Sequence, residues 1–307
     1  MRTVILENVG MNEEQKQRIR NLGPAAFFDR SSDEEAKERV RGADIVVVDW
    51  VAPSPFLLDM KSPSLVALMS TGYAWIKSRQ EARAKGILIS NVPGYATEAV
   101  AEHVVGLMLA IARWTVIGDK TIRSGEKDQP VPQGTELRDK CLGIVGLGSI
   151  GYRVSELARA FGMKVVTYNR HSKKCDNIAD LSLEDLMRTC DVVCVTCPLN
   201  DQSKGMLDKK YLSHLKPGAM LVGATWGVVS LDDLIPLLRE RHIRGFGFDV
   251  ALEAGSPPPP QELLQRDNVV LTPHVGYNTL EAKLRQIDIC ISNIEAFAEG
   301  KPKNIVN

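Results

Sequence analysis

Several features of membrane, secreted and polyanion-binding proteins are missing from this sequence of 307 residues. No stretch approaches the ~18 consecutive apolar residues of a membrane-spanning helix, and the first residues, MRTVILENVGMNEEQ, contain no signal-peptide core. The 38 basic residues balance 38 acidic ones, so net charge favours neither nucleic acid nor an anionic membrane. Six scattered cysteines do not make a disulfide framework. We therefore expect a cytoplasmic protein that binds neither nucleic acid nor membrane.

Three of the cysteines are close in sequence. Cys190, Cys194 and Cys197 have a C-x3-C-x2-C spacing that resembles an iron–sulfur ligand set. The segment reads TCDVVCVTCPL, however, which is typical of a buried β-strand. Side chains three positions apart on a strand point to opposite faces, so Cys194 and Cys197 are poorly placed to hold one cluster. We predict core packing and no metal.

Short apolar runs alternate with helical patterns along the chain, which is typical of parallel α/β sheets. The first series contains TVILE, NEEQKQRIRNLG, ADIVVVDW, SLVALMST, KSRQEARAKG and ILISNV. The second begins near residue 141 and contains CLGIVGLG, SIGYRVSELARAFG, KVVTYN, DVVCVT, AMLVGAT, RGFGFDV and NVVLTPH. The predicted fold is α/β, with two domains that are each a parallel sheet with flanking helices.

The domain boundary is predicted near residue 95. The segment that follows, ATEAVAEHVVGLMLAIARWTVIG, has the length and apolar content of a well-buried helix. The last helical segment, AKLRQIDICISNIEAFAEG, comes after the final strand, and we expect it to cross back onto the first domain. The predicted domains are residues 1–95 with 285–307, and residues 96–284.

The strongest local motif is the glycine turn Gly146-Leu147-Gly148-Ser149-Ile150-Gly151. It follows the strand CLGIV and opens the helix SIGYRVSELARAFG, which is the context of a dinucleotide-binding fingerprint. Gly146 allows the tight turn, Gly148 lets the backbone approach a pyrophosphate, and Gly151 lets the helix pack closely on the strand. Ser149 and Ile150 begin the helix, whose N-terminus supplies amide donors. A glycine-rich turn without a ligand is the alternative interpretation.

The end of the next strand indicates which dinucleotide is preferred. An NAD site usually places an acidic residue there, but this chain has Asn169, followed by Arg170, His171, Ser172 and Lys173. Neutral and cationic donors suit a 2′-phosphate, which a carboxylate would repel. We therefore predict NADP as the preferred cofactor over NAD, with an ordinary solvated basic loop as the alternative.

Five longer segments together resemble one enzyme family. NVPGYATEAVAEHVVGLMLAIAR, TELRDKCLGIVGLGSIG, CPLNDQSKGML, FGFDV and NVVLTPHVG occur in the order seen in D-2-hydroxyacid dehydrogenases, and the match covers nearly the whole chain. The resemblance implies a central Rossmann nucleotide-binding domain, and a flavodoxin-like substrate-binding domain formed by both chain termini. It also implies a homodimer.

The resemblance further implies the roles of individual residues. His274, in LTPHVG, matches the histidine that acts as acid or base on the substrate oxygen, and a free imidazole titrates near ~6.5. Glu253 is the acidic candidate to orient it, at a spacing one residue shorter than the family pattern. Asp249 matches an aspartate near the nicotinamide carboxamide. Further cofactor contacts are implied at Cys197, Pro198, Ser203, Ala224, Thr225 and Gly276.

The largest departure from the family pattern is Trp226, in LVGATWGVVS, where the family has an arginine that binds the substrate carboxylate. Tryptophan offers one N–H and an apolar face, whereas arginine offers a bidentate charged fork. Trp226 with Trp50, Trp75 and Tyr73 is predicted to line an aromatic pocket for a bulkier or less charged substrate. Filling of an interdomain core by these rings is the alternative.

An anionic group of the substrate still has predicted contacts in the first domain. The backbone amides of Thr71, Gly72 and Tyr73, in STGYAWIKS, are candidates to bind it, with Lys77 as a helper. The leading hypothesis is an NADP(H)-dependent oxidoreductase with an atypical 2-oxo or 2-hydroxy substrate. A nucleotide-sensing or scaffold protein, and an enzyme that uses bound cofactor without net redox change, are the alternatives.

Overall fold

Two parallel sheets organise the chain in the computed structural model, which describes residues 1–73, 75–125, 131–170, 177–250 and 258–307. Each sheet belongs to its own unit. Unit 1 contains residues 1–96 and 279–307, and unit 2 contains residues 97–278. The chain thus returns to unit 1 six residues before the predicted position 285.

Unit 1 is built on a five-stranded sheet with the order β2-β1-β3-β4-β5, and every pair is parallel. Its strands are β1 (Thr3–Ile5), β2 (Ala25–Phe27), β3 (Ile45–Val48), β4 (Ser64–Leu68) and β5 (Ile87–Ser90). Its helices are α1 (Glu13–Arg20), α2 (Asp33–Arg39), α3 (Arg79–Ala84) and α11 (Leu280–Ala298). This order is that of a flavodoxin-like sheet, as predicted.

The local sequence explains these elements. All residues of β3 and β4 are buried, and continuous apolar strands are expected when helices cover both faces of a parallel sheet. The helix α1 starts at Asn12, whose side chain accepts from the Gln15 N–H while Gln15 accepts from the Asn12 N–H. Ser32 and Glu35 form the same capping box at α2.

The helix α11 is tied to unit 1 along its length. Thr279 caps its first turn by accepting from the Ala282 N–H at 3.1 Å. The Gln286 amide donates to the Met69 carbonyl, and Arg18 in α1 forms an ion pair with Glu295 at 2.8 Å. The predicted boundary at 285 therefore fell inside a continuous helix, because the cap that starts this helix lies at Thr279.

Unit 2 is built on a seven-stranded sheet with the order β12-β11-β10-β9-β6-β7-β8, again with parallel pairs. Its strands are β6 (Cys141–Val145), β7 (Lys164–Tyr168), β8 (Ala179–Asp180), β9 (Val192–Val195), β10 (Met220–Gly223), β11 (Gly245–Asp249) and β12 (Val269–Thr272). Its helices are α4 (Thr97–Ala112), α5 (Thr115–Ser124), α6 (Ser149–Ala160), α7 (Leu183–Thr189), α8 (Lys209–Leu212), α9 (Leu231–Arg239) and α10 (Gln261–Leu264). The strand order reverses between β6 and β9, which confirms the predicted Rossmann arrangement.

The helix α4 packs on the β11 side of this sheet. Gly247 of β11 leaves room for Ile111, since a Cβ on that glycine would lie 2.7 Å from the Ile111 Cδ1 atom. Among the described residues, no single helix is long and apolar enough to cross a membrane. The pair α4 and α5 reaches that length and composition only across a 62° bend.

Candidate active site

The glycine turn after β6 combines two tightly packed positions with one open position. Gly146 has φ 97°, and a Cβ there would lie 2.6 Å from the Cys197 Cα. A Cβ on Gly151 would lie 2.6 Å from the Gly146 carbonyl oxygen. By contrast, apart from its neighbours in the chain, no described residue has a heavy atom within 4 Å of the place that a Cβ on Gly148 would take. The turn therefore leaves open space at the N-terminus of α6, where an anion is favoured.

A cavity of about 260 Å³ lies at this turn, along the carboxyl ends of β6, β7 and β9. The predicted cofactor residues that line it are Gly146, Gly148, Asn169, Arg170, Cys197, Pro198 and Ser203. Lining residues that sequence reasoning missed are Val145, Leu147, Tyr168, Thr196, Asn200, Gln202 and Met206. Two of these, Thr196 and Asn200, lie in the segment TCPLND with Cys197 and Pro198, and this closeness in sequence could have identified them.

The other predicted cofactor residues that the structure describes do not line this cavity. Ser149, Ile150 and Gly151 form the first turn of α6, and Ala224 and Thr225 follow β10, where both are half-buried. The predicted contacts His171, Ser172 and Lys173 lie outside the described residues.

Asn169 connects the end of β7 to the glycine turn. Its Oδ1 atom accepts from the Leu147 N–H at 2.7 Å, and its Nδ2 donates to the Thr167 hydroxyl at 3.3 Å. The Thr167 hydroxyl in turn donates to the Ile144 carbonyl at 3.0 Å. The Asn169 oxygen is therefore used within the protein, and the group left to face the cavity is a neutral donor beside the exposed Arg170.

His274 follows β12 at the carboxyl edge of the same sheet. Its side chain is exposed, and its backbone has φ 52°, which is uncommon for a residue with a side chain. The His274 N–H donates to the Thr272 carbonyl at 3.1 Å, and the imidazole meets the Tyr277 ring edge-on at 5.5 Å between centroids. The turn thus presents the imidazole to solvent.

Asp249, the last residue of β11, holds this turn. It is only 4% exposed. Its Oδ1 atom accepts from the Thr272 hydroxyl at 2.6 Å and the Val275 N–H at 3.0 Å, and its Oδ2 atom accepts from the Gly276 N–H at 2.8 Å. The carboxylate therefore binds the chain on both sides of His274. Glu253, the predicted orienting group, lies outside the described residues.

Trp226 begins a short 3-10 helix, Trp226–Val228, that directly follows β10 and Thr225. Its ring is half-buried and packs against the apolar cluster on one face of the unit 2 sheet. Part of this tryptophan therefore belongs to the core, while its place in the chain is at the carboxyl edge of the sheet that also carries Asp249 and His274.

The predicted anion-binding loop lies in unit 1, directly after β4. Thr71, Gly72 and Tyr73 are exposed, and none of their main-chain N–H groups donates to a described residue. The loop is fixed by the buried Asn91, whose Nδ2 donates to the Thr71 carbonyl at 2.8 Å. Trp75 donates its ring N–H to the Gly72 carbonyl at 3.2 Å. Lys77 is exposed at the end of this segment.

Trp50 follows β3 in the same unit and is 75% exposed. Its loop is held by Glu7, whose Oε1 atom accepts from the N–H groups of Asp49, Trp50 and Val51 at 2.8–2.9 Å. Burial raises the pKa of Asp49 to about 6, Glu7 acts in the same direction, and Lys283 opposes them. Trp50, Tyr73 and Trp75 thus belong to unit 1 and Trp226 to unit 2, so the aromatic pocket stays a prediction.

Four of the described cysteines differ strongly in acidity. Cys141, Cys190 and Cys194 lie in unit 2, and Cys290 lies in α11 of unit 1. Cys141 and Cys190 have their sulfur atoms 3.5 Å apart. The Cys190 thiol lowers the pKa of Cys141 to about 7, whereas the interaction and burial raise the pKa of Cys190. Burial raises the pKa of both Cys194 and Cys290 to about 12.

We expect iodoacetamide to alkylate Cys141 with a half-maximal rate near pH 7, because the thiolate is the nucleophile. Peptide mass spectrometry across a pH series measures the profile, and Cys194 and Cys290 are internal controls that stay unmodified. Cys190→Ala removes the thiol donor and should shift the Cys141 profile toward pH 9, whereas Cys190→Ser retains a donor. An unshifted profile in Cys190→Ala contradicts this assignment.

The sequence is similar to a known family model and to several curated relatives. Residues 105–276 match the model for the D-isomer specific 2-hydroxyacid dehydrogenase, NAD binding domain. The chain is 37% identical over 257 residues to a glyoxylate reductase of Pyrococcus furiosus, covering 79% of this chain and 75% of the relative. It is 29% identical to a hydroxypyruvate reductase of Blautia hydrogenotrophica, over 93% of this chain and 92% of the relative.

A solved structure matches along the full length of both chains. It is an acyclic imino acid reductase (Bsp5) in complex with NADPH and D-Arg, with a TM-score of 0.87 and 29% identity.

Proposed function

Because the chain belongs to the D-isomer specific 2-hydroxyacid dehydrogenase family, we propose that it is an NADP(H)-dependent oxidoreductase with His274 as its acid–base group. The reaction interconverts a 2-oxo compound and the corresponding 2-hydroxy compound. The observation that carries this proposal is the shared edge of the unit 2 sheet. The open glycine turn, Trp226 and His274 follow strands at that edge, and Asp249 is the last residue of a strand there.

The glycine turn fits a dinucleotide. The space beside Gly148 and the amide groups that begin α6 suit a pyrophosphate, while Asn169 and Arg170 suit the ribose with its 2′-phosphate. When bound, the nicotinamide supplies or accepts the hydride. NADP is the proposed preference because Asn169 is neutral, its oxygen is used by the Leu147 N–H, and Arg170 provides a cation.

His274 is proposed to donate a proton to the substrate oxygen during reduction and to accept it during oxidation. Its exposure leaves the imidazole accessible, and its left-handed backbone belongs to the turn that directly follows β12. Asp249 holds the turn through Thr272, Val275 and Gly276, so the imidazole is carried on a fixed backbone. Fixed positioning of this kind is what proton transfer requires.

The substrate is proposed to differ from the small keto acids that an arginine would bind. Trp226 offers a partly buried ring in place of a guanidinium, while the N–H groups of Thr71, Gly72 and Tyr73, with Lys77, remain candidates for an anionic end. An imino acid is a second candidate, because the full-length match to the acyclic imino acid reductase favours it. His274 would then protonate nitrogen in place of oxygen.

We expect Trp226→Arg to raise kcat/KM for glyoxylate and hydroxypyruvate roughly tenfold or more over the natural protein. An arginine provides a charge partner for the carboxylate. Loss of one partner of a buried charge pair costs about 2–5 kcal/mol, and a tenfold gain needs only about 1.4 kcal/mol. NADPH oxidation measured by absorbance tests the expectation, with NADH beside it to test the cofactor preference. Trp226→Met is the matched control, since it opens the same space without a charge.

Each outcome of this assay favours one function. Equal and high rates for the natural protein and Trp226→Arg show that another cation binds the carboxylate, and the atypical substrate is then wrong. Activity of the natural protein only when ammonium is added to the keto acid favours the imino acid. Tight NADPH binding without turnover on any of these compounds favours a nucleotide sensor.

A further inference from the structure

His103 lies in α4 and contacts the turn that carries His274. It is partly buried, with a side chain 24% exposed. Its Nε2 atom is 2.8 Å from the Thr272 hydroxyl oxygen and 3.8 Å from the Asp249 Oδ1 atom. A Cβ on Gly276 would lie 3.3 Å from the His103 Cδ2 atom, so the ring packs closely against this glycine. One imidazole thus contacts both ends of the turn from Thr272 to Gly276.

The direction of these hydrogen bonds follows from the number of protons available. The Thr272 hydroxyl has one hydrogen, and it donates that hydrogen to Asp249 at 2.6 Å. The hydroxyl oxygen can therefore only accept from His103 at 2.8 Å, so the His103 Nε2 atom carries a hydrogen. The resulting chain runs from the His103 N–H to the Thr272 hydroxyl and on to the Asp249 carboxylate.

This chain of hydrogen bonds ends at the Asp249 carboxylate, which accepts from several donors of the turn. The Asp249 Oδ1 atom accepts from both the Thr272 hydroxyl and the Val275 N–H, and its Oδ2 atom accepts from the Gly276 N–H. Without the donor of His103, the Thr272 hydroxyl loses one of its two hydrogen-bond partners and keeps only the Asp249 carboxylate. The Thr272 carbonyl is also the acceptor for the His274 N–H, at 3.1 Å. The backbone on which His274 stands is thus connected to His103.

We propose that His103 is a positioning residue for His274, which it serves by donating its Nε2 hydrogen to Thr272 and so fixing the turn from Thr272 to Gly276. This inference rests on the acid–base role proposed for His274. His103 itself need not touch the substrate. A polar residue that precedes the apolar stretch VVGLMLAIA of α4 acquires a defined function in this way.

Two variants of His103 test its hydrogen-bond donor separately from the volume of its ring. His103→Gln retains an N–H donor at the end of its side chain, whereas His103→Leu retains bulk without a donor. The first measurement is hydrogen exchange of the Val275 and Gly276 N–H groups in the protein without cofactor. We expect exchange in His103→Leu to be about five- to tenfold faster, which corresponds to one lost hydrogen bond, and exchange in His103→Gln to be near that of the natural protein.

The second measurement is steady-state reduction of glyoxylate in the Trp226→Arg background, together with NADPH binding by fluorescence. His103→Leu should lower kcat about five- to tenfold, with the dissociation constant for NADPH within twofold, and His103→Gln should restore kcat. Unchanged exchange in His103→Leu overturns the inference, as does a faster exchange that leaves kcat unaltered. Full turnover in His274→Asn overturns the acid–base proposal instead, and is distinguishable because the exchange measurement does not use the reaction.

Discussion

Replacement of His274 by asparagine is expected to lower kcat by roughly 10²–10⁴-fold while NADPH binds as before. The imidazole is exposed, and its ring contact within the described residues is with the partly buried Tyr277, so we expect the loss to fall on proton transfer and not on the fold. Asparagine is chosen because it tolerates the left-handed backbone of this position, φ 52°, better than most residues. Steady-state kinetics in both directions, with the thermal midpoint measured beside them, test the expectation.

His214→Asn is the matched control for this experiment. His214 follows α8 and lies 3.6 Å from Glu184, away from the turn of His274, so its replacement should leave kcat unchanged. Equal activity of His274→Asn and the natural protein would remove His274 from the mechanism. A lowered thermal midpoint in His274→Asn would assign the residue to the stability of the turn.

The central sheet was predictable because several signals agree there. A β-branched strand, the glycine turn from Gly146 to Gly151 and an amphipathic helix occur in one order, and each supports the same unit. The start of α11 was harder to predict from the sequence. Its cap is Thr279, three residues before Ala282, whereas a glutamate or glutamine at that third position would have given the usual capping signal.

The site could be predicted where chemistry follows a strand end, and not where it depends on packing between distant segments. The family resemblance singled out Asp249 and His274, and the apolar run before each one predicted its place at a strand end. His103 and Thr272 are 169 residues apart, and their contact depends on how α4 is rotated on the sheet, which local sequence does not determine. The sequence likewise predicted Asn169 as a cofactor contact, but its bond to the Leu147 N–H arises from the close approach of two loops.

Replacement by alanine at two glycines of one turn is expected to affect two different properties. At Gly151 it should lower the stability of unit 2, and at Gly148 it should weaken NADPH binding. A Cβ on Gly151 would lie 2.6 Å from the Gly146 carbonyl oxygen and 2.8 Å from the Thr196 hydroxyl. Gly151→Ala should therefore destabilise unit 2 by about 1–3 kcal/mol, the cost typical of overpacking. Thermal and urea unfolding measure this loss, and an unfolding midpoint equal to that of the natural protein would contradict the packing described for the turn.

Gly148→Ala should leave stability unchanged and weaken NADPH binding roughly 100-fold, about 2.7 kcal/mol. Its backbone, with φ −83° and ψ −166°, suits an alanine, and the described residues beyond its chain neighbours have no heavy atom within 4 Å of the added carbon. The methyl group instead occupies the open space into which a pyrophosphate must come close to the chain. Fluorescence titration with NADPH measures the dissociation constant of the variant and of the natural protein. Binding at the natural strength by a folded Gly148→Ala protein would mean that the dinucleotide does not approach this turn, and the cofactor assignment would fail with it.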